Sequence, residues 1–295
     1  MANLKEIRTR AQSVSSIMQI TNAMKMVSAA KLKKAQDAII QMRPYASKLM
    51  EILDNLSGNL GSDTESVFSQ VREKSNVLLV VITSNKGLCG AFNSNVTKKA
   101  IELAEEKYHN SFLNKKVDFI TIGKKGYDQL RSKKYNIVAS HSDIFDNLTF
   151  EKVVPVVDEI MNDFTCKKYN VVELIYNQFK NAAVQVLKEE QFLPVQQQEV
   201  KEAERFEVHT DFIYEPSQES IIQELIPKSL RIQFFKALLD SHASEHGARM
   251  TAMHKATDNA IELQKELRLQ YNKVRQASIT NEILEIVGGA EALKG

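Results

Sequence analysis

From Met1 to Gln41 the chain contains neither glycine nor proline; Pro44 is the first break and Gly58 the first glycine. These two residues cost a helix interior about 1 and about 3 kcal/mol, so their absence favours one long helix. From Lys228 to Val287 only Gly247 interrupts, before the Gly288-Gly289 pair, which reads as a helix stop. A helix of about 55 residues spans about 80 Å, more than the width of one globular domain. Both termini must therefore pack along each other or along partners.

Apolar spacing says which faces pack. Leu4, Ile7, Ala11, Val14 and Met18 recur at steps of three and four, and Met42, Ala46, Leu49, Leu53 and Leu56 do so further on, with a slip of register expected near Lys31. In the last segment Ala256, Ala260, Leu263, Leu267, Tyr271 and Val274 continue the pattern, which suits an antiparallel partner returned from the other end of the chain. Seams rich in Ala and Met pack closely but specify register weakly. Periodicity alone fits a helical bundle as well as an extended coiled coil.

The 295 residues hold 26% charged and 43% hydrophobic side chains, ordinary for a soluble globular protein. The longest apolar run, VLLVVI at 77–82, is far short of a membrane span and reads as a buried strand. Cys89 and Cys166 stand outside any CxxC pattern, which points to a reducing compartment and no disulfide scaffold. The net charge of +2 is unevenly spread: residues 1–60 carry nine Lys or Arg against four acids, and residues 219–295 carry ten of each. A basic first helix fits an acidic partner surface or anionic lipid, although a solvated charged face is the commoner explanation of such an excess. It does not fit nucleic acid, because no aromatic residue is interleaved with the basic ones before Tyr45. The Arg-bearing, acid-poor start resembles a transit peptide, but its periodicity runs on into the following helix, so it reads as mature protein.

Between the helices the pattern changes. VLLVVI at 77–82 precedes a helical segment at 95–108, and VDFITI at 117–122 precedes one at 124–133; a weaker strand opens at Ile137 and Val138. A helix near 150–164 leads to NVVELIY at 170–176. This alternation predicts a mostly parallel sheet covered on both faces, with segments 182–193 and 205–214 pairing antiparallel beside it. The expected domains are a helix at 1–60, an α/β domain at 70–215 and a helix at 219–290 that pairs with the first.

Signals for chemistry are weak. The loop SNKGLCGAFN at 84–93 follows the first strand, where doubly wound folds place phosphate-binding glycines, but Gly87 and Gly90 give GxxG, matching neither GxGxxG nor the GxxxxGK[ST] loop. It reads as a tight strand-to-helix turn with Cys89 as a small buried residue. HASEH at 242–246 fits the HxxEH pattern of one class of zinc peptidases, with His242 and His246 on one helix face and Glu245 as a base, but a third ligand is not recognisable. A zinc hydrolase using these residues, and an α/β ligand-binding domain with a docking arm, are the competing functional readings. With no Ser/His/Asp order and no paired carboxylates, the chain reads as non-catalytic.

The segment ASITNEILEIVGGAEAL at 277–293 resembles the C-terminal signature of the gamma subunit of F-type rotary ATP synthases. ITNAMKMVSAAKLKKAQ at 20–36, the SNKGLCGAFN loop and ASEHGARMTAMHKATDNA at 243–260 resemble further blocks of that family, in the family's order. The resemblance implies an antiparallel coiled coil of the long terminal helices plus a central Rossmann-like α/β domain. It implies a rotor stalk without catalysis, nucleotide, metal or other cofactor, turning inside a ring of alpha and beta subunits beside the epsilon subunit and the ring of c subunits. That complex translocates protons at the cytoplasmic face of the bacterial plasma membrane. Met24 matches a family methionine placed against an acidic beta-subunit loop, Lys25 beside it fits the basic excess of the first helix, and Arg249, Gln276, Thr280 and Glu282 match residues in polar contact with a beta-subunit loop. The family block also covers SEHGARM, where no metal is expected, and the cysteine-bearing insert of chloroplast members has no counterpart here.

Overall fold

A computed structural model describes residues 4–58, 67–72, 75–195 and 218–292; the strand expected at 205–214 lies outside them. The chain divides into two compact units, residues 30–248, and residues 1–29 together with 249–295. Two helices, α1 (Leu4–Gly58) and α6 (Gln218–Ala292), contribute to both.

The larger unit is built on a five-stranded sheet: β1 (Val77–Ile82), β2 (Val117–Ile122), β3 (Ile137–His141), β4 (Val171–Phe179) and β5 (Gln185–Leu193). Its order is β3-β2-β1-β4-β5, with the first four strands parallel and β5 antiparallel at the edge. All six residues of β1 are buried, because successive side chains of a strand point to opposite faces and both faces are covered. Leu78, Val80 and Ile82 pack with Val153, Val157, Ile160 and Phe164 of α5 (Phe150–Thr165) and with Leu230, Phe234 and Leu238 of α6. Val77, Leu79 and Val81 pack with Val96 and Ala100 of α2 (Phe92–Glu102) and Leu130 of α4 (Lys124–Ser132). Each such aliphatic side chain contributes about 1.5–3 kcal/mol of burial free energy. The helical segment expected at 95–108 begins earlier, at Phe92, and widens into a π-turn at Leu103–Lys107 before the short α3 (His109–Leu113).

In the smaller unit, α1 and α6 meet through Ile7, Ala11, Val14 and Met18 on one side and Ala260, Leu267, Tyr271 and Val274 on the other. Buried or half-buried side chains recur along α1 at 4, 7, 11, 14, 18, 21, 25, 28, 32, 35, 39, 42, 46 and 49, in strict alternation of three and four. The slip expected near Lys31 is therefore absent. It was inferred because the seam positions just before it are Thr21, Lys25 and Ser28, whose polar side chains hide the period. Thr21 and Ser28 return their hydroxyls to the carbonyls of Met18 and Met24, which lets them sit in a seam without an unpaired donor.

On α6 the seam runs through Met253, Thr257, Ala260, Gln264, Leu267, Tyr271 and Val274. Leu263 is exposed, and Gln264 takes the place expected for it. Apolar character pointed to Leu263, but Ala260 to Leu267 must be divided four and three to keep the seam facing α1. Nor do Gly288 and Gly289 end the helix, which continues to Ala292. Neither glycine takes the left-handed conformation that closes a helix end.

Candidate partner-binding surface

Register decides what the smaller unit exposes. The Thr257 hydroxyl lies 2.9 Å from that of Thr21. Counting outward antiparallel from this pair sets Lys25 opposite Met253 and Leu4 opposite Val274. No described residue of α1 therefore lies beside α6 from 275 to 292, about 27 Å of helix at 1.5 Å per residue. Residues 275–291 are all exposed, and they include Ile279, Ile283, Leu284, Ile286 and Val287. Among the described residues this stretch carries an unusual number of exposed aliphatic side chains for a helix.

Gln276, Thr280 and Glu282 all lie on this overhang and all are exposed. Gln276 and Thr280 are one turn apart, and the Thr280 hydroxyl donates to the Gln276 carbonyl at 2.9 Å. Glu282 is turned away from Gln276 by about 120°, at 100° per residue, and accepts a long 3.4 Å bond from Ser278. The overhang thus presents two polar faces, not one. Met24 and Lys25 lie about 40 Å of helix from this trio, given the register above, and both are half-buried. Lys25 lines a shallow groove with Met18, Asn22, His254, Asp258 and Ile261, where His254 and Asp258 stand 3.4 Å apart. Met26 and Val27 beside it are exposed. Arg249 is buried, at 7% exposure, and is the first α6 residue of this unit.

In the larger unit the crevice that doubly wound folds use for nucleotides is filled by the chain's own side chains. Such sites lie beyond the carboxyl ends of the strands where the strand order reverses, here between β1 and β4. Asn93 accepts the Ser84 backbone N–H at 2.9 Å and donates to Cys89 Sγ at 3.3 Å, while Asn177 donates to the Phe92 carbonyl at 3.2 Å. Cys89 is buried, and the loop makes the expected tight turn, with Leu88 and Gly90 both at φ near +62°. The first turn of α4 is equally committed. Lys124 N–H donates to Asn85 Oδ1, Lys125 N–H to the Ser84 carbonyl and Gly126 N–H to Thr83 Oγ1 at 2.8 Å. A phosphate group depends on just such free N–H groups at a helix start.

His242 and His246 meet with their Nε2 atoms 3.2 Å apart, and His242 stacks on Phe145 at 5.9 Å between centroids. His246 and Glu245 are buried. Among the described residues no group of three or more His, Cys, Asp and Glu side chains is gathered there or elsewhere. This part of α6 is buried on nearly every side, and Gly247 lets the Ala182 carbonyl in the β4–β5 turn approach to 3.1 Å from where a Cβ would stand.

The sheet domain fills its own phosphate crevice, and the helix pair leaves residues 275–291 of α6 exposed, a pattern that fits a subunit of a larger assembly. The family profile described as ATP synthase matches residues 3–293. The chain is 58% identical over its full length to the ATP synthase gamma chain of Flavobacterium johnsoniae and 56% identical to that of Christiangramia forsetii, covering both completely. Its fold matches a chain of the central stalk and c-ring structure of the Tetrahymena thermophila mitochondrial ATP synthase at a TM-score of 0.60, with 26% identity over 80% of this chain and 99% of that one. A chain of the Euglena gracilis mitochondrial ATP synthase shares the fold at a TM-score of 0.70, with 20% identity over 98% of this chain and 94% of that one. The chain belongs to the family of ATP synthase gamma chains.

Proposed function

We propose that the helix pair turns inside a ring of alpha and beta subunits and carries torque between a proton-driven ring of c subunits and the catalytic beta subunits. The observation that carries this reading is the overhang of α6, whose exposed Ile279, Ile283, Leu284, Ile286 and Val287 require an enclosing sleeve. A single helix has no symmetry about its own axis, so it offers each subunit of a surrounding ring a different face. Rotation then biases each subunit in turn toward a different conformation, which is coupling through discrete states.

In this reading Gln276 and Thr280 contact one beta-subunit loop, and Glu282, on another face, meets a different surface. Arg249, about 40 Å of helix from Gln276, serves a separate contact, and Met24 and Lys25 face an acidic beta-subunit loop. The epsilon subunit and the ring of c subunits complete the rotor, and the complex stands at the cytoplasmic face of the bacterial plasma membrane.

The test is reconstitution. The purified chain alone is expected to hydrolyse no ATP, and with alpha and beta subunits it is expected to form a complex of high turnover. Gln276→Ala with Thr280→Ala is expected to lower that turnover several-fold without changing the melting of the free chain, since both side chains are exposed. Failure to join an alpha–beta ring under conditions where another gamma chain does so overturns the reading.

A further inference from the structure

Three helices of the larger unit end alike. After α3, α4 and α5 the chain closes a Schellman motif, in which the N–H two residues past the cap returns to the third residue from the helix end: Lys116 to Ser111, Tyr135 to Leu130 and Lys168 to Asp163, at 2.8–3.2 Å. The residue of each motif that takes the left-handed conformation is a lysine: Lys115 at φ 55°, Lys134 at φ 63° and Lys167 at φ 60°. Glycine or asparagine is the ordinary occupant, because a Cβ is strained there. Each of these lysines has a second beside it, Lys116, Lys133 and Lys168, and two of the turns share the sequence KKYN.

The parallel sheet gathers these pairs on one edge. They precede β2, β3 and β4, so they stand at the amino-terminal ends of three of the four parallel strands, with β1 between β2 and β4. With strands about 4.8 Å apart and the order β3-β2-β1-β4, the six lysines occupy a strip about 14 Å long. All six are exposed, and among the described residues only Lys168 has an ion-pair partner, Asp163 at 2.7 Å. The nearby Asp118 accepts from Asn136 and Tyr169, and Glu105 from Tyr135, so neither carboxylate is ion-paired with a lysine of the strip. A helix carboxyl end favours a cation, which accounts for a lysine near each turn. It does not account for placing that lysine in the one conformation it resists.

We propose that this edge docks on the surface of an anionic phospholipid bilayer. The six lysines outnumber the arginines beside them: Arg72, which donates to the Phe164 carbonyl and stands over its ring, and Arg131, which donates to Tyr127. Lysine acts as a point charge suited to a diffuse negative field, whereas arginine is favoured where carboxylate or phosphate is recognised in a fixed geometry. The two tyrosines of the KKYN turns face inward, which leaves no aromatic platform for nucleic-acid bases. Leu113, just before the first lysine pair, and Val71, next to Arg72, are exposed at 67% and 87% and give the strip aliphatic tips for a bilayer interface.

The experiment is sedimentation of the full chain with vesicles of phosphatidylglycerol and phosphatidylcholine, against phosphatidylcholine alone. Binding is expected only to the anionic vesicles and is lost near 1 M salt, where screening shortens to about 3 Å. The triple variant Lys115→Asn, Lys134→Asn and Lys167→Asn is expected to bind about a hundredfold more weakly, at roughly one lysine's share of membrane attraction each. Asparagine suits the left-handed position, so its melting temperature is expected to stay level or rise, which separates lost docking from lost folding. Undiminished binding by the triple variant overturns the proposal, as does binding that follows Lys33→Gln and Lys34→Gln on α1 instead. Retention on immobilised polyglutamate without vesicle binding assigns the edge to an acidic protein and rejects the bilayer. None of these results touches the reconstitution with alpha and beta subunits, so the two readings fail separately.

Discussion

Thr21 and Thr257, 236 residues apart in the chain, share a hydroxyl–hydroxyl bond of 2.9 Å inside the helix seam. Each also has a local carbonyl, Met18 for Thr21 and Met253 for Thr257, so the pair is polar without leaving a donor unmet. In a seam of Ala, Met and Leu, which slides easily, one such pair fixes which residues face each other.

Replacing either threonine by valine is expected to cost about 1 kcal/mol, the net worth of one hydrogen bond. The double variant is expected to cost no more than either single one, because the same bond is lost in all three. Denaturant midpoints of the four proteins give this coupling; additive losses show that the two hydroxyls do not interact.

Leu267 and Leu263 separate the observed seam from the one that apolar character alone suggests. Leu267 is 3% exposed, so Leu267→Asp places an unpaired charge in the seam, at a cost of several kcal/mol. Leu263→Asp is expected to change stability by less than about 0.5 kcal/mol. Circular dichroism melts of the two variants check this, and equal losses refute the assigned register.

Asp240 gives a pH dependence of opposite sign to that of most carboxylates. Burial raises its pKa to about 6, against the opposing pull of Lys236, Arg43 and Lys188. The folded chain thus holds a proton here that the unfolded chain, with an ordinary aspartate near 3.8, releases. Stability from this group is full below about pH 4 and is lost as pH rises through 6, by up to about 3 kcal/mol. Glu190, whose pKa is lowered by Gln233, Tyr176 and Lys188 against the cost of burial, works the other way and below 4.5, outside that window. Acidification from pH 7 to pH 5 is therefore expected to raise the unfolding midpoint, and Asp240→Asn is expected to remove most of that rise.

Gly123 stands at φ 103°, and a Cβ built there would lie 2.2 Å from the Thr83 carbonyl oxygen. Gly123→Ala is expected to cost several kcal/mol and to displace the β2–α4 turn from β1. Gly90, at φ 62° with open space around it, is the control: Gly90→Ala is expected to cost about 1 kcal/mol from backbone strain alone. Urea unfolding of both variants distinguishes the steric contact from the conformational preference.

The strands were legible because each is a short run of apolar residues closed by polar turns, and VLLVVI and VDFITI have the bounds that the sequence suggested. The seam was legible only where it is apolar. Thr21 and Ser28 hold seam positions with hydroxyls bonded to their own helix, Lys25 holds one by position alone, and Gln264 displaces the more apolar Leu263 by the same rule of position. The overhang of α6 was not legible at all, since it depends on which residues of two distant helices face each other. For Gln276, Thr280 and Glu282 the sequence supplied identities through resemblance, but their division between two faces of the helix needed coordinates. The filled crevice was half visible: the glycine spacing was wrong for phosphate, but nothing local announced that Asn93 and Asn177 occupy it.

The unbroken alternation of three and four along α1 has a mechanical consequence. A repeat of 3.5 residues on a helix of 3.6 winds a pair into a left-handed rope. Twisting such a rope in one sense tightens its strands against each other, and twisting it in the other begins to part them. The seam from Ile7 to Val274 is therefore unequal in the two directions, stiffer when overwound and more compliant when unwound.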